Sequence, residues 1–290
     1  MKVGIIYFKE LQWTEKQLVL LFKERDIEID LIEAGELDLS GIEEYSFLLN
    51  RVYASTANEN SFNFNDFLKK LKEIEENGIK VINSSFCSMC DYSKYVSAKV
   101  MEEKGVLTPK TIKVYSRDEV KKFLLNEGES IIFKPDTGGR GAGIHKIDSV
   151  EDISKNLFSK EGTKSQEFII QPLAKSIVPI DYRVLVCRGE VLCTNSRTLI
   201  DGWLGSRSQG SKIKLLKEIP DDLKKIAIDA TNAIGAEMNS LDIVQTKEGF
   251  SIIENNPTPN FNQEYIDSFG FNPVQILVDQ LIKEYIQIQV

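Results

Sequence analysis

The sequence predicts an α/β protein in three parts: an N-terminal parallel α/β domain over residues 1–90, then two α+β units over 91–173 and 174–290. Three observations predict it. Apolar strand-like runs and helical runs alternate from the start of the chain to about residue 90, the pattern of a parallel layer. A strand, a glycine-rich loop and a second strand follow at 130–147. Two short apolar strands around the turn Lys247-Glu-Gly-Phe250 carry carboxylates among apolar residues.

In order, the first part reads as strand Val3–Phe8, helix Glu15–Arg25, strands Ile27–Ile32 and Ser46–Asn50, helix Asn65–Asn77 and strand Lys80–Asn83. Asn77-Gly78 is a helix stop. Asp91 opens a helix to Glu103, closed by Lys104-Gly105 with Pro109 beyond. The middle part reads as a strand from Thr111, helix Asp118–Asn126, the glycine loop between two strands, helix Val150–Leu157 and strand Phe168–Gln171. Mostly strand follows to Leu216, then helix Pro220–Ile234, the carboxylate hairpin and helix Pro273–Ile286. No internal repeat or low-complexity linker interrupts this order.

Composition narrows the function classes. A hydrophobic fraction of 42% supports full cores, and a net charge of −8 argues against general nucleic-acid binding. The first strand turns polar at Lys9, too early for a signal peptide. No apolar run nears the roughly 20 residues of a membrane span. A cytoplasmic protein is expected, with no membrane partner. Cys87-Ser-Met-Cys90 is a lone Cys-x-x-Cys, and Cys187 and Cys193 lie in half-apolar strands. With one histidine in the chain, packed thiols are expected rather than a zinc site. That histidine, His145, reads as a strand residue beside the loop rather than a general base.

The chemistry-bearing residues sit in the two strand–turn–strand segments. Side chains alternate along a strand, so Glu254 and Asn256 project to one side. If the strand through Asp242 pairs with theirs as a hairpin, all three converge. Two carboxylates and an amide oxygen are hard ligands suited to Mg²⁺ that also binds phosphates. Taken alone, the segment also admits a strand end before a Pro-rich turn. In the glycine loop, Gly138, Gly139, Gly141 and Gly143 allow close approach of backbone N–H groups to an anion. Lys134, at the end of the preceding strand, would reach the same anion as a point charge. Gly138 and Gly143 have P-loop spacing, but Ile144-His145 stands where Lys-Ser/Thr belongs. The dinucleotide fingerprint fails too, because Ile144 stands where the third glycine after Gly139 and Gly141 belongs, and a strand replaces the helix. A hairpin turn without a ligand stays open for the loop in isolation.

Nearly end to end, the chain resembles RimK-like ATP-grasp ligases, a group of glutamate ligases and LysX-type carrier-protein ligases. Five pieces carry the resemblance. Asp91-Tyr-Ser-Lys94 leads to Gly105 and Pro109-Lys-Thr111; Lys134 leads to Gly138, Gly141 and Gly143; Ile169-Ile-Gln171-Pro-Leu173 forms a hinge strand. Asp181-Tyr-Arg183 precedes an apolar strand, and Asp242 with Glu254-Asn-Asn256 closes the set. Each is weak alone; five in the family's order are specific. One departure concerns the substrate. The family's Phe-Arg-x-Asn segment is replaced by Trp203-Leu-Gly-Ser206, with Arg207 following.

The resemblance implies an ATP-grasp fold whose two α+β units clamp ATP between them, and an ADP-forming carboxylate–amine ligase working through an acylphosphate. ATP and two Mg²⁺ ions, or Mn²⁺ in their place, are the implied cofactors, with Asp242, Glu254 and Asn256 as metal ligands. Lys94, Lys134 and the glycines of the loop would hold the phosphates. Ile132 and Ile253 would sandwich adenine, and the hinge near Gln171 and Leu173 would hydrogen-bond it. Arg183 and Arg197 would face the reacting carboxyl and phosphoryl, and Arg207 and Arg51 would bind substrate. Implied partners are small-molecule or peptide carboxylates and amines, within a homo-oligomer. A catalytically silent nucleotide-binding scaffold is the alternative, disfavoured because both lysines, the loop and all three ligands occur together.

Overall fold

The computed structural model describes residues 1–55, 62–138, 143–158, 167–203 and 211–286. The N-terminal layer is a parallel sheet of order β2-β1-β3-β4, from β1 (Lys2–Tyr7), β2 (Glu28–Glu33), β3 (Phe47–Asn50) and β4 (Val81–Ile82). Helices α1 (Trp13–Lys23) and α2 (Phe64–Glu76) cross between its strands. Asn63 caps α2 by accepting from the N–H groups of Asn65 and Asp66. The strands β1, β3 and β4 are buried as a helix-covered parallel sheet requires, whereas the edge strand β2 is half-buried to exposed.

The expected single helix from Asp91 is two. α3 (Ser85–Tyr92) and α4 (Lys94–Glu103) meet at Ser93. The Ser93 hydroxyl accepts from the N–H of Val96 as the cap of α4 and donates to Asp136 Oδ2 at 2.8 Å. A residue 43 positions later therefore sets the break.

The middle unit is a four-stranded antiparallel sheet of order β5-β8-β6-β7. Its strands are β5 (Ile112–Val114), β6 (Ile131–Pro135), β7 (His145–Ile147) and β8 (Phe168–Pro172), with α5 (Arg117–Glu127) on one face. Ser116 caps α5, and Gly128 at φ +66° ends it in the left-handed region. Phe133, Ile131, Phe168 and Ile170 join α5 in that unit's core. The helix expected over Val150–Leu157 is absent. A single 3₁₀ turn, Val150–Asp152, stands there under a reciprocal Ser149–Asp152 capping box, followed by turns.

The C-terminal unit is a five-stranded antiparallel sheet of order β11-β10-β9-β12-β13. It comprises β9 (Ile180–Cys187), β10 (Glu190–Thr198), β11 (Ile213–Leu215), β12 (Met238–Thr246) and β13 (Gly249–Asn256), backed by α6 (Asp221–Ala233). The short α7 (Gln263–Phe269) was not foreseen; α8 (Pro273–Tyr285) begins at Asn272, whose side chain accepts from the Val274 N–H. α8 returns to pack on α1. Val274, Leu277, Val278 and Leu281 share one core with Leu18, Phe22 and Phe47. All four cysteines are free and buried. Among the described residues, no helix is long and apolar enough to cross a membrane.

Candidate active site

The carboxylate hairpin forms, and a register shift between Asp242 and Ile243 brings Asp242 opposite Glu254 where unbroken alternation would set it opposite Ile253. β12 and β13 pair antiparallel across two turn residues, with Asp242 opposite Glu254 and Ser240 opposite Asn256. Directly opposed residues share a face, so both carboxylates and Asn256 lie on one side of the sheet. The row extends across neighbouring strands: Asp242 stands opposite Arg183 on β9, and Arg183 opposite Asn195 on β10. Glu254 is nearly half exposed, whereas Asp242 is enclosed. On the other face, Asn239 Oδ1 accepts from the Asn256 N–H at 3.1 Å, and Asn239 bonds Asn255 at 3.3 Å. That buried network holds the Asn256 backbone in place.

Two arginines converge on Asp242. Arg183 Nε donates to Asp242 Oδ1 at 3.0 Å, and Arg197 contacts Asp242 Oδ2 at 3.0 Å. Burial works to raise the Asp242 pKa, but the two guanidinium groups outweigh it and hold the carboxyl below its usual range. Each oxygen keeps a further lone pair. Arg197 also donates to Asp181, with Nε to Oδ1 at 2.9 Å. At 5% exposure and shared between two carboxylates, Arg197 does not face a substrate as expected. Its charge goes to placing Asp242. Arg183 is about one-third exposed and borders a cavity.

The middle sheet supplies the opposing face. Ile132 and Lys134 alternate with Ile131 and Phe133, which are in the core. Ile132 pairs with Gln171 and Lys134 with Ile169. Lys134 is 5% exposed. Burial, with Lys94 adding to it, lowers its ammonium to about 8, against partial support from Glu254 and Asp136. Lys94, first residue of α4, bridges the units: its Nζ donates to the Gly138 carbonyl at 2.6 Å and lies 3.9 Å from Glu254 Oε1. Gly138 adopts φ +108° and Gly143 +72°, both in the region that favours glycine. Gly139, Gly141 and Arg207 lie outside the described residues.

Some expected roles do not match the positions found. The Leu173 N–H donates to the Ser130 carbonyl at 2.9 Å, and Gln171 Nε2 donates to Thr111 Oγ1 at 2.7 Å. The Leu173 amide is thus not a free hinge donor. Ile253 is half-buried beside the register shift next to Asp242, and Ile132 is half-buried on the Lys134 face. Arg51 is a clear correction. At 4% exposure, its Nε donates to Glu15 Oε1 at 2.9 Å and its NH2 to the Pro259 carbonyl at 2.9 Å. It ties the N-terminal layer to the segment after Asn256 and presents no cation to a substrate. Asn83 and Thr14 grip the same segment, at the Pro257 carbonyl and at Asn260. His145 is exposed and paired opposite Phe133, so it points away from the Lys134 face.

Two site residues escaped the sequence reading. Asp136 is buried, accepts from the Ser93 hydroxyl and the Tyr95 N–H (2.7 Å), and so fixes the helix start that carries Lys94. Its only signal was its place two residues after Lys134. Asp91, read as a helix opener and as part of the Asp91–Lys94 piece of the resemblance but given no role in the site, lies in the last turn of α3 and accepts the Ala54 N–H. Burial and the nearby Glu254 push its carboxyl up to about 7.

Comparison with known proteins agrees with this geometry. The model of the RimK-like ATP-grasp domain matches residues 92–281. The chain is 24% identical to the tetrahydromethanopterin:alpha-L-glutamate ligase of Methanosarcina acetivorans, over 97% of this chain and 98% of the relative. Among solved structures, the ATP-grasp ligase PsnB complexed with a phosphomimetic variant of its minimal precursor, Mg and ADP superposes with a TM-score of 0.70, at 16% identity and 97% and 98% coverage. A RimK domain protein from Sphaerobacter thermophilus gives 0.71, at 13% identity and 96% and 98% coverage. At these identities the structures show a common ATP-grasp fold.

Proposed function

Because the chain belongs to the RimK-like ATP-grasp family, we propose that it joins a small-molecule or peptide carboxylate to an amine through an acylphosphate. It is an ATP-dependent carbon–nitrogen ligase, and the alternative of a silent scaffold finds no support. One observation carries the reading: cations on the middle unit meet carboxylates on the C-terminal sheet, with Lys94 Nζ 3.9 Å from Glu254.

The donor set fits Mg²⁺ and a polyphosphate. Asp242, Glu254 and Asn256 offer hard oxygens on one sheet face. Lys134 is a buried ammonium whose charge is disfavoured in the free protein, which bound phosphate would reverse. Two Mg²⁺ ions, or Mn²⁺ in their place, would supply charge neutralisation for phosphoryl transfer.

The chain's own residues have separable tasks. Lys94 and Lys134 hold phosphate oxygens, and Lys94 also sets the start of the glycine segment through Gly138. Gly138 and Gly143 frame the loop that would cover the phosphates and keep water from the acylphosphate. Ile132 and Ile253 offer apolar surfaces for adenine. Arg183, beside Asp242 and bordering the cavity, orients the reacting carboxylate. Arg197 is a positioning residue acting through Asp242. Arg207 remains a candidate substrate contact. A cytoplasmic homo-oligomer completes the reading.

The test is ADP release by purified protein with ATP, Mg²⁺ and mixed amino acids and peptides, with products read by mass spectrometry. Amine-dependent ADP release with a mass gain of one amide-linked residue is expected. ADP release that ignores both carboxylate and amine would overturn the proposal.

A further inference from the structure

A small cavity adjoins the phosphate site in the next row of the same sheet. Its floor is the row Cys193, Leu185, Ser240, Asn256, each opposite the next across β10, β9, β12 and β13. The row Asn195, Arg183, Asp242, Glu254 lies one step away on the same face, at about 7 Å for two residues of strand. Phe261, Tyr265 and Phe269 form the roof, with ring centroids 6.3 Å and 5.5 Å apart along the series. The cavity leaves about 40 Å³ open to the centre of a water molecule, room for about three waters.

Its charge content is unusual for a site beside so many ions. Among the described lining residues, Arg183 is the one ionic side chain, and its Nε is already on Asp242. Asn195, Ser240, Asn256 and Asn260 add neutral polar atoms; the remainder is apolar or aromatic. A carboxylate held at Arg183 puts its own substituent into this cavity. An ammonium group there would lose water and find no carboxylate in the lining, and an acidic group would have to compete with the reacting carboxylate for Arg183, whose Nε is already on Asp242. A neutral substituent of a few heavy atoms would fill the space and bury apolar surface.

Resting on the ligase reading, we infer that the substrate carboxylic acid carries a small neutral, mainly apolar substituent, and that the Cys193–Leu185–Ser240 floor with the Phe261–Phe269 roof selects it against acidic acids.

Hydroxylamine in place of the unidentified amine tests this without knowing the acceptor. A carboxylate oxygen bonds to the γ-phosphorus and ADP leaves; the hydroxylamine nitrogen then bonds to the acyl carbon, phosphate leaves, and one proton goes to solvent. The probes are alanine, valine, leucine, aspartate, glutamate and lysine, each free and N-acetylated, with ATP, Mg²⁺ and hydroxylamine. The expected kcat/KM for the best neutral acid exceeds that for glutamate by about 100-fold or more, the scale of an unpaired buried charge. Ser240→Val narrows the floor and should shift preference towards alanine. Phe269→Ala, at the half-buried roof, should shift it towards leucine. Nucleotide-induced stabilisation of each variant reports that it is folded. Glutamate equal to or better than the neutral acids would overturn this inference while leaving the ligase reading intact. Two folded variants with unshifted preference would do the same. Hydroxamate from no acid would remove the ligase reading, and this inference with it.

Discussion

Replacing Lys134 by Met should make the empty protein more stable and abolish its response to nucleotide. Lys134 is 5% exposed, and its ammonium is held at about 8 against an ordinary 10.5. At about 1.36 kcal/mol per pH unit, that difference disfavours the charged form by ~3 kcal/mol near pH 7. Met keeps the length and apolar contacts while removing the charge. Allowing for local relaxation, a gain of ~1–3 kcal/mol is expected, or a rise in Tm on the order of 5 °C. The sign follows from linkage. The folded pKa lies below the unfolded one, so the unfolded chain binds more protons between pH 8 and 10.5. The native penalty is complete below 8 and fades as pH rises towards 10.5, so the gap between variant and native protein should narrow over that window. Thermal melts across pH, with and without a non-hydrolysable ATP analogue and Mg²⁺, measure both effects. A variant that melts below the native protein at pH 7, or that retains the analogue-induced rise, would refute the argument.

The same lysine makes nucleotide binding pH-dependent. Bound phosphate favours the ammonium, so calorimetry in buffers of differing ionisation heat should show proton uptake and up to tenfold weaker binding per pH unit above 8. Lys134→Met should lose this dependence. Glu254→Ala should lower turnover by about 100-fold or more, with the melting temperature little changed because the side chain is nearly half exposed; near-native ADP formation would remove Glu254 from the metal site. Arg183→Ala and Arg197→Ala should separate. The first spares the fold and depresses kcat, whereas the second leaves the enclosed Asp181 without its arginine and Asp242 with Arg183 alone, and costs about 3–5 kcal/mol of stability. Equal losses of stability in denaturant titrations would contradict the division of roles.

What the sequence by itself determined is local. The hairpin and the shared side of Glu254 and Asn256 were legible from the turn and from period-two alternation, but a two-residue turn alone would set Asp242 opposite Ile253; the register shift at Asp242 brings it opposite Glu254, and only the folded sheet shows that shift. The parallel layer was legible because strand and helix periods alternate, and Lys134 because it alternates with core residues on β6. Tertiary structure decided which charges remain available. Arg51, Arg183 and Arg197 are alike as residue types. Yet Arg51 is enclosed by Glu15 and by Pro259, 208 residues away, and Arg197 by Asp181 and Asp242, leaving Arg183 at the cavity. Likewise Asp136 divides α3 from α4, and α8 joins the core of α1. A side chain's position follows from its neighbours in sequence. Its free charge depends on burial and on how many counter-ions reach it, and distant strands bring those together only when the chain has folded.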